Sequence, residues 1–452
     1  MDFNGKTVLV YGLGISGRGI VRLLHQNNIS MVLYDANVDL DTDAFMSEYG
    51  LKDTRFIKGS LKAEDLEGID ILALSPGISI NAPDIKMAEN AGLEILGEIE
   101  IAYQLSKGRI AAITGTNGKT TTTALVGEIL GRAFPETFVV GNIGRSFASV
   151  ADQTTENSVL AAEISSFQLE SIKEFHPVVT AILNVTPDHL DRHGNMETYL
   201  ECKMRIAENQ TEDEVCVINY DDELLRNNYQ KLRPEVVFFS RLTKLDKGVY
   251  LDGRDIILAT GNEKIKVCSR DELLLMGDHN VENVCAAIAV TYAMGVDLET
   301  ISQTVKEFRA VEHRIEYVCT KRGVAYYNDS KGTNTDAAQK AVDSMVAPTV
   351  LIAGGYDKGA DFTDWINGFN GRVRDMILIG QTAEKIRDTA LKCGFTNVHM
   401  AADLAEAVRM AAEIADSGDA VLLSPACASW GQFKNYEQRG TMFKEFAREL
   451  PE

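Results

Sequence analysis

The sequence has no excess of basic charge. Its 452 residues carry 45 Lys and Arg against 66 Asp and Glu, a formal net charge of −21. That balance disfavours non-specific nucleic-acid binding, although a local cradle can still hold an anion. Cysteine is sparse as well: seven residues, odd in number, scattered and without a C-x-x-C pair. The pattern argues against a disulfide framework or a structural zinc site, and a reducing cytoplasm is the expected setting. No apolar run reaches the length of a membrane helix, so no membrane insertion is expected. No charged-then-apolar leader opens the chain. Internal repeats and low-complexity tracts are missing too. The remaining composition is that of a soluble globular protein, at a length that predicts about two to four domains.

Against this background one stretch carries dense chemistry. Ile110-Ala111-Ala112-Ile113-Thr114 reads as a strand, Gly115-Thr116-Asn117-Gly118 as a turn, and Lys119-Thr120-Thr121 as the opening of a helix. Glycines let backbone N–H groups approach an anion, and the helix N-terminus adds partial positive charge. Lys119 can then reach the β- and γ-phosphates of a nucleotide, and the Thr120 hydroxyl can ligate Mg²⁺. The match to the general P-loop is incomplete, because its first glycine falls at Ile113.

Residues 1–97 alternate strand and helix patterns. Thr7–Tyr11 is a predicted strand followed by Gly12-Leu13-Gly14-Ile15-Ser16-Gly17, the G-x-G-x-x-G spacing, and Asp35 ends the next strand where a ribose-binding acid would sit. The unit stops too early for two full mononucleotide halves. A nucleotide-diphosphate site is therefore favoured over a nicotinamide dinucleotide site or a turn without a ligand. A further strand from Ile69 to Leu74 runs into Ser75-Pro76-Gly77, a second glycine corner at a strand's C-terminal edge.

Residues 98–310 hold the P-loop. Gly141-Asn142-Ile143-Gly144 is a compact turn, and a buried strand from Ser158 ends in Glu163, placed either as a Mg²⁺ ligand or as a helix N-terminal acid. A strand predicted from Ala181 to Asn184 is turned by Pro187, leaving His189 exposed with a metal, phosphate or structural role. Met196 to Gln210 reads as a helix with Tyr199 and Lys203 on one face, and periodicity alone makes Lys203 a solvated lysine. A strand-rich patch spans 214–267. Asn280 and Asn283 then open an apolar helix, either as caps or as amides facing a base edge. Residues 311–452 form a third α/β pattern whose strands each end in Gly, Ser or Asp, so their loops gather at one edge.

Taken together, six ordered motifs resemble the Mur ligases, ATP-dependent amide-forming enzymes of peptidoglycan precursor synthesis. They are Gly115 to Thr120, Glu163 to Leu169, Asn184 to Asp191, Gly277 to Asn280, His313-Arg314 and Asn328 to Lys331. The segment from Leu423 to Phe433, with Glu437-Gln438-Arg439-Gly440, is similar to the branch of the family that adds D-glutamate. The resemblance implies three α/β domains: a Rossmann-like UDP-sugar domain (1–97), a central P-loop ATP-binding domain (98–310) and a C-terminal Rossmann-like domain for the incoming amino acid (311–452).

The resemblance also implies roles. ATP would be held by Gly115 to Thr121, with Asn142, Asn283, Arg314 and Asp329. The UDP-sugar would be held by Gly14, Ile15, Ser16, Asp35, Ser75 and Gly77, with Asn142 and His189. D-glutamate would meet Thr333, Lys358, Ser429 and Tyr436. Two Mg²⁺ ions would be bound by Thr120, Glu163, His189 and Lys203, the last as a carbamylated lysine, which replaces its solvated reading. Lys119, His189, Lys203 and Lys331 would be catalytic. Ala36-Asn37 departs from the family pattern, having no basic side chain where the uridine diphosphate would gain from one. The implied partners are small molecules, UDP-N-acetylmuramoyl-L-alanine, D-glutamate and ATP, handled by a monomer. A nicotinamide oxidoreductase and a non-enzymatic nucleotide switch are the rivals; the first leaves the P-loop unexplained, and the second would show no amine-dependent phosphate release.

Overall fold

A computed structural model describes residues 3–142, 145–309 and 311–451. Ile143 and Gly144, the end of the Gly-Asn-Gly turn, lie outside the described residues. Three sheets organise the chain. The first holds five parallel strands in the order Arg55–Lys58, Ser30–Asp35, Thr7–Tyr11, Ile71–Leu74 and Glu94–Gly97. This is the Rossmann-like order expected of a glycine-cornered nucleotide domain. Its helix Ile15–Gln26 packs tightly onto the sheet because Gly17 has no side chain: a Cβ there would stand 1.8 Å from the Gly12 carbonyl oxygen.

The second sheet has nine strands. From one edge they are Thr137–Gly141, Val159–Glu163, Arg109–Thr114, Val179–Ile182, Val215–Asn219, Glu235–Ser240, Lys247–Asp252, Asp255–Thr260 and Lys264–Ser269. All neighbours are parallel up to Lys247–Asp252, and the last two strands fold back antiparallel. Strands buried on both faces need continuous apolar sequence, and Val159–Glu163 is buried at every position. Two boundaries differ from the sequence expectation. The strand preceding His189 stops at Ile182 rather than Asn184, because Asn184 turns out of the ladder to bond the P-loop. The helix opening at Met196 ends at Met204, and Arg205–Ala207 tightens into a 3₁₀ turn. There the Arg205 guanidinium draws in the carbonyls of Leu169, Glu170 and Ile172.

The chain divides into two compact units. Residues 1–272 with 282–306 form the first and contain both of these sheets; 273–281 with 307–452 form the second. One apolar cluster runs through the first unit, joining Val8, Val10 and Ile20 of the first sheet to Ala112, Leu160 and Ile182 of the second. The second unit carries a six-stranded sheet ordered Glu316–Lys321, Val324–Asn328, Ala420–Leu423, Thr349–Ala353, Val373–Leu378 and Val398–Met400. Only its first pair is antiparallel. Apolar clusters cover both faces of that sheet.

Within the first unit, Glu98 opens the helix Glu98–Gln104 between the two sheets and is only 2% exposed. Its carboxylate accepts from the Ala148 N–H at 2.7 Å. Burial pushes its pKa up to about 7, against 4.5 for an ordinary glutamate. The folded state therefore binds a proton that the unfolded chain releases, and stability falls as pH climbs between those values. At about 1.4 kcal/mol per unit the shift corresponds to roughly 3 kcal/mol. Glu98→Gln keeps the acceptor and removes the titration. Its melting temperature relative to the unsubstituted chain should rise between about pH 4.5 and about pH 7 and level off above that; a constant difference would remove Glu98 from the pH response.

Candidate active site

Parallel register sets the site. Ile113 pairs with Glu163, Thr114 with Ile182, and Gly141 with Glu163, so four strand ends and the loops after them share one edge. The helix Lys119–Ala133 begins immediately beyond, capped by Gly118 at φ +83°. A side chain at Gly118 would be strained in that conformation, and its Cβ would stand 2.2 Å from Asn283 Oδ1.

The loop is clamped from the next strand. Asn184 Oδ1 accepts from the Asn117 N–H at 2.8 Å, and its Nδ2 donates to the Asn117 carbonyl at 3.0 Å. Thr116 Oγ1 donates to the Thr186 carbonyl at 3.1 Å and accepts from the Thr186 N–H at 3.0 Å. Asn283 Oδ1 accepts from Thr122 Oγ1 at 3.3 Å, so this amide faces the P-loop helix. Side chains and backbone thus preset the turn.

Lys119 Nζ donates to the carbonyls of Gly115 and Thr116 at 2.8 and 2.7 Å. Lys203 Nζ also donates to Gly115, at 2.8 Å, and sits 4.5 Å from the Tyr199 ring centroid. The solvated reading of Lys203 is overturned, since the residue is 1% exposed. Helical spacing puts it on Tyr199's face, and that face turns towards the loop rather than to water. Burial, and then the neighbouring Lys119 ammonium, hold the Lys203 amine well below the usual lysine range.

Glu163 ends its strand 1% exposed. Its Oε1 accepts from Asn142 Nδ2 at 3.0 Å, while its Oε2 is buried and has no hydrogen-bond partner among the described residues. A buried carboxylate oxygen without a donor is costly, and a hard cation satisfies it. The reading of Glu163 as a helix N-terminal acid does not hold: Ser165 supplies the cap of the following short helix, with Gln168 closing a capping box.

Lys119, Asn142, His189 and Lys203 line one cavity of about 300 Å³ with Pro76 and Gly77. His189 caps the helix Leu190–His193 at φ +52°, and its half-exposed ring lies 4.8 Å from that of Phe167. Arg192 fixes the corner from Pro76 to Ile78 beside this cavity. Its guanidinium grips Glu170 through two bonds of 3.0 and 2.5 Å and donates to the Pro76 and Ile78 carbonyls at 3.4 and 3.1 Å. The roles of Arg192 and Asn184 were not foreseen, because both act through partners distant in sequence.

Other expected residues lie elsewhere in the first unit. Gly14, Ile15 and Ser16 sit at the start of the helix Ile15–Gln26, apart from the lining of this cavity. Both Asp35 carboxylate oxygens are taken by backbone, accepting from Leu13 at 2.9 Å and Asn37 at 2.8 Å. Ser75 Oγ is buried with no partner among the described residues, 3.8 Å from where a Cβ on Gly12 would stand.

The second unit gathers its own set. Arg314 lines a cavity of about 430 Å³ with Leu274, Met276, Asn280 and Tyr317. Asp329 accepts from Ser424 Oγ at 2.7 Å, and burial pushes its carboxyl up to about 7. Lys331 Nζ lies 4.9 Å from the Tyr436 ring centroid, and Thr333 donates its N–H to the Lys331 carbonyl at 2.8 Å. Arg439, wholly buried, bonds Ser330 and the Cys427 carbonyl, tying that loop to the one bearing Ser429.

These features define a class. Family models match three consecutive segments: Mur ligase MurD-like N-terminal domain over 6–97, Mur ligase middle domain over 113–291, and Mur ligase glutamate ligase domain over 313–427. The chain belongs to the Mur ligase family, and the dinucleotide reading of its first glycine corner gives way to a MurD-like N-terminal domain. A UDP-N-acetylmuramoylalanine–D-glutamate ligase of Lachnospira eligens is 50% identical over 100% of both chains. One of the same description from Lachnoclostridium phytofermentans is 46% identical, over 100% of this chain and 99% of its own. Among solved structures, the MurF ligase of Thermotoga maritima in complex with ADP shares the fold at a TM-score of 0.59 and 17% identity, over 86% of this chain and 97% of that one.

Proposed function

We propose that this chain adds D-glutamate to UDP-N-acetylmuramoyl-L-alanine at the expense of ATP, through an acyl phosphate, in peptidoglycan precursor synthesis. The observation that carries the reading is the meeting of Lys119, Asn142, His189 and buried Lys203 around one cavity, with Glu163 bonded to Asn142 and one carboxylate oxygen unsatisfied. Identity of 50% over the full length of a ligase of that description supports it.

A carboxylate is a poor acylating agent. Transfer of the γ-phosphoryl group of ATP to the alanyl carboxylate makes a mixed anhydride, which the amine of D-glutamate attacks to release phosphate and form the amide. Such a transfer needs positioning and charge neutralisation more than covalent help. Backbone N–H groups from Gly115 to Thr121 cradle the phosphates, and Lys119 exchanges its two carbonyl partners for phosphate oxygens. Thr120, Glu163, His189 and carbamylated Lys203 would hold two Mg²⁺ ions, which neutralise charge on the phosphates and the acyl oxygens. An amine held well below the usual lysine range by burial supports carbamylation at Lys203, since the free amine is the form that adds to CO₂. Gly14, Ile15, Ser16, Ser75 and Gly77 take the UDP-sugar, with Asp35 shaping its glycine turn. Asn142 and His189 meet the acyl end. Arg314, Asn283 and Asp329 take adenosine, and the cavity beside Arg314 offers a base both apolar side chains, Leu274 and Met276, and the polar ones of Asn280 and Arg309. Lys331 assists the transfer. Seven free thiols support a reducing cytoplasm, and a monomer suffices for these roles.

Thr333, Lys358, Ser429 and Tyr436 receive D-glutamate. Lys358 is exposed and makes no ion pair among the described residues. Its pairing with the substrate side-chain carboxylate is a charge-assisted hydrogen bond, worth roughly 1.5–3 kcal/mol. Lys358→Ala should therefore raise the Michaelis constant for D-glutamate by about ten- to a hundred-and-fifty-fold, leaving those for ATP and UDP-sugar nearly unchanged. If all three constants and the melting temperature shift together, Lys358 only holds its turn. The intermediate has a direct test. With ATP and UDP-N-acetylmuramoyl-L-alanine but no D-glutamate, borohydride should reduce the acyl phosphate to an alcohol on the sugar-linked alanine. Absence of that product, with enzyme that turns over normally once D-glutamate is added, would rule the intermediate out.

A further inference from the structure

Trp430 is large, apolar and 56% exposed. Its ring meets that of Tyr356, itself 39% exposed, in an edge-on contact with centroids 5.5 Å apart. Lys358 Nζ stands 5.3 Å from the indole centroid. The two loops bearing these residues are stitched together at their bases. Tyr356 and Ala428 form an antiparallel bridge, the Tyr356 N–H donating to the Ala428 carbonyl at 2.9 Å. Beneath them, buried Arg439 donates to the Cys427 carbonyl at 3.2 Å. Trp430 thus projects from an anchored loop, whereas Lys358 sits near an exposed tip.

What else could direct Lys358 is already engaged. The adjacent carboxylate of Asp357 accepts from Lys385 Nζ at 3.1 Å and from the Gly359 N–H at 2.7 Å. Among the described residues, the indole face is the partner of the Lys358 ammonium. A cation held over a ring is attracted by the ring quadrupole, and its three N–H donors need not be consumed. Such a contact aims an ammonium while leaving it able to pair an anion.

We propose that Trp430 is a positioning residue for the incoming amino acid: its indole face holds Lys358 in the direction from which the ammonium pairs the side-chain carboxylate of D-glutamate. This rests on the D-glutamate role assigned to Lys358 above. Pre-aiming a four-bond side chain lowers the ordering cost of binding, so the effect belongs to the Michaelis constant and not to turnover.

The test is a double-mutant cycle in the full chain, reading kcat and the constants for D-glutamate and ATP, with a melt of each variant. Trp430→Leu should raise the D-glutamate constant roughly two- to five-fold, with kcat, the ATP constant and the melting temperature unmoved. Trp430→Phe keeps an aromatic face and should recover most of the loss. In a Lys358→Ala background, Trp430→Leu should add nothing. An equal rise in both backgrounds, or no rise in the parent, overturns the proposal while leaving the ligase reading intact. A wild type whose phosphate release ignores D-glutamate defeats that reading and this inference with it.

Discussion

Lys119→Ala should lower phosphate release by about 10²- to 10³-fold, the usual loss when one preorganised charge donor is removed from a reacting centre. The melting transition should hardly move. Lys119 spends its donors here on two backbone carbonyls of its own loop, Gly115 and Thr116. Neutral carbonyls offer an ammonium a dipole each, whereas a phosphate oxygen adds the attraction of a full opposite charge. Triphosphate oxygens should therefore displace them. Folding needs little from this side chain, because Asn184 and Thr186 hold the loop independently. Near-normal activity in the variant would take the P-loop out of the mechanism.

Lys203→Ala should cost at least about a hundred-fold, the upper end of what outer-shell metal substitutions cost, and a short carboxylate such as acetate should restore part of it. A lysine 1% exposed with a second lysine nearby has its charged form disfavoured by burial and then by the Lys119 ammonium. A carbamate there, as proposed above, would supply a carboxylate where an amine stands, and Mg²⁺ prefers carboxylate oxygen. Lys203→Met, which keeps the apolar stem, separates this from packing: it should melt near wild type yet lack activity, and its filled site should respond less to acetate. A fully active Lys203→Ala chain would return the residue to a structural role.

The P-loop and the acid at Glu163 were legible in the sequence because their signals are local. A β-branched run, glycines at fixed spacing and a Lys-Thr pair within a dozen residues carry their own geometry. The glycine corner at Gly12 was legible as a tight strand-to-helix turn, but its ligand was not: the same spacing serves nicotinamide and uridine nucleotides. Lys203 shows where periodicity fails. Spacing puts it on Tyr199's face of the helix, but which face meets the core depends on a partner 88 residues away, the Gly115 carbonyl. Family resemblance, not pattern, pointed to it. Asn184 read as the end of a strand because an apolar run leads into it; its two bonds to Asn117 span 67 residues. Arg192, Trp430 and Arg439 were similarly mute. A long polar or aromatic side chain states its chemistry in sequence but not its partner.

The most direct measurement of the central claim is phosphate release from ATP with UDP-N-acetylmuramoyl-L-alanine and, in separate reactions, D-glutamate, L-glutamate, L-alanine or diaminopimelate. The account predicts stoichiometric phosphate and a new amide with D-glutamate, and only background with the other three. Equal or faster release with any of those, or release with D-glutamate that does not require the UDP-sugar, would contradict it.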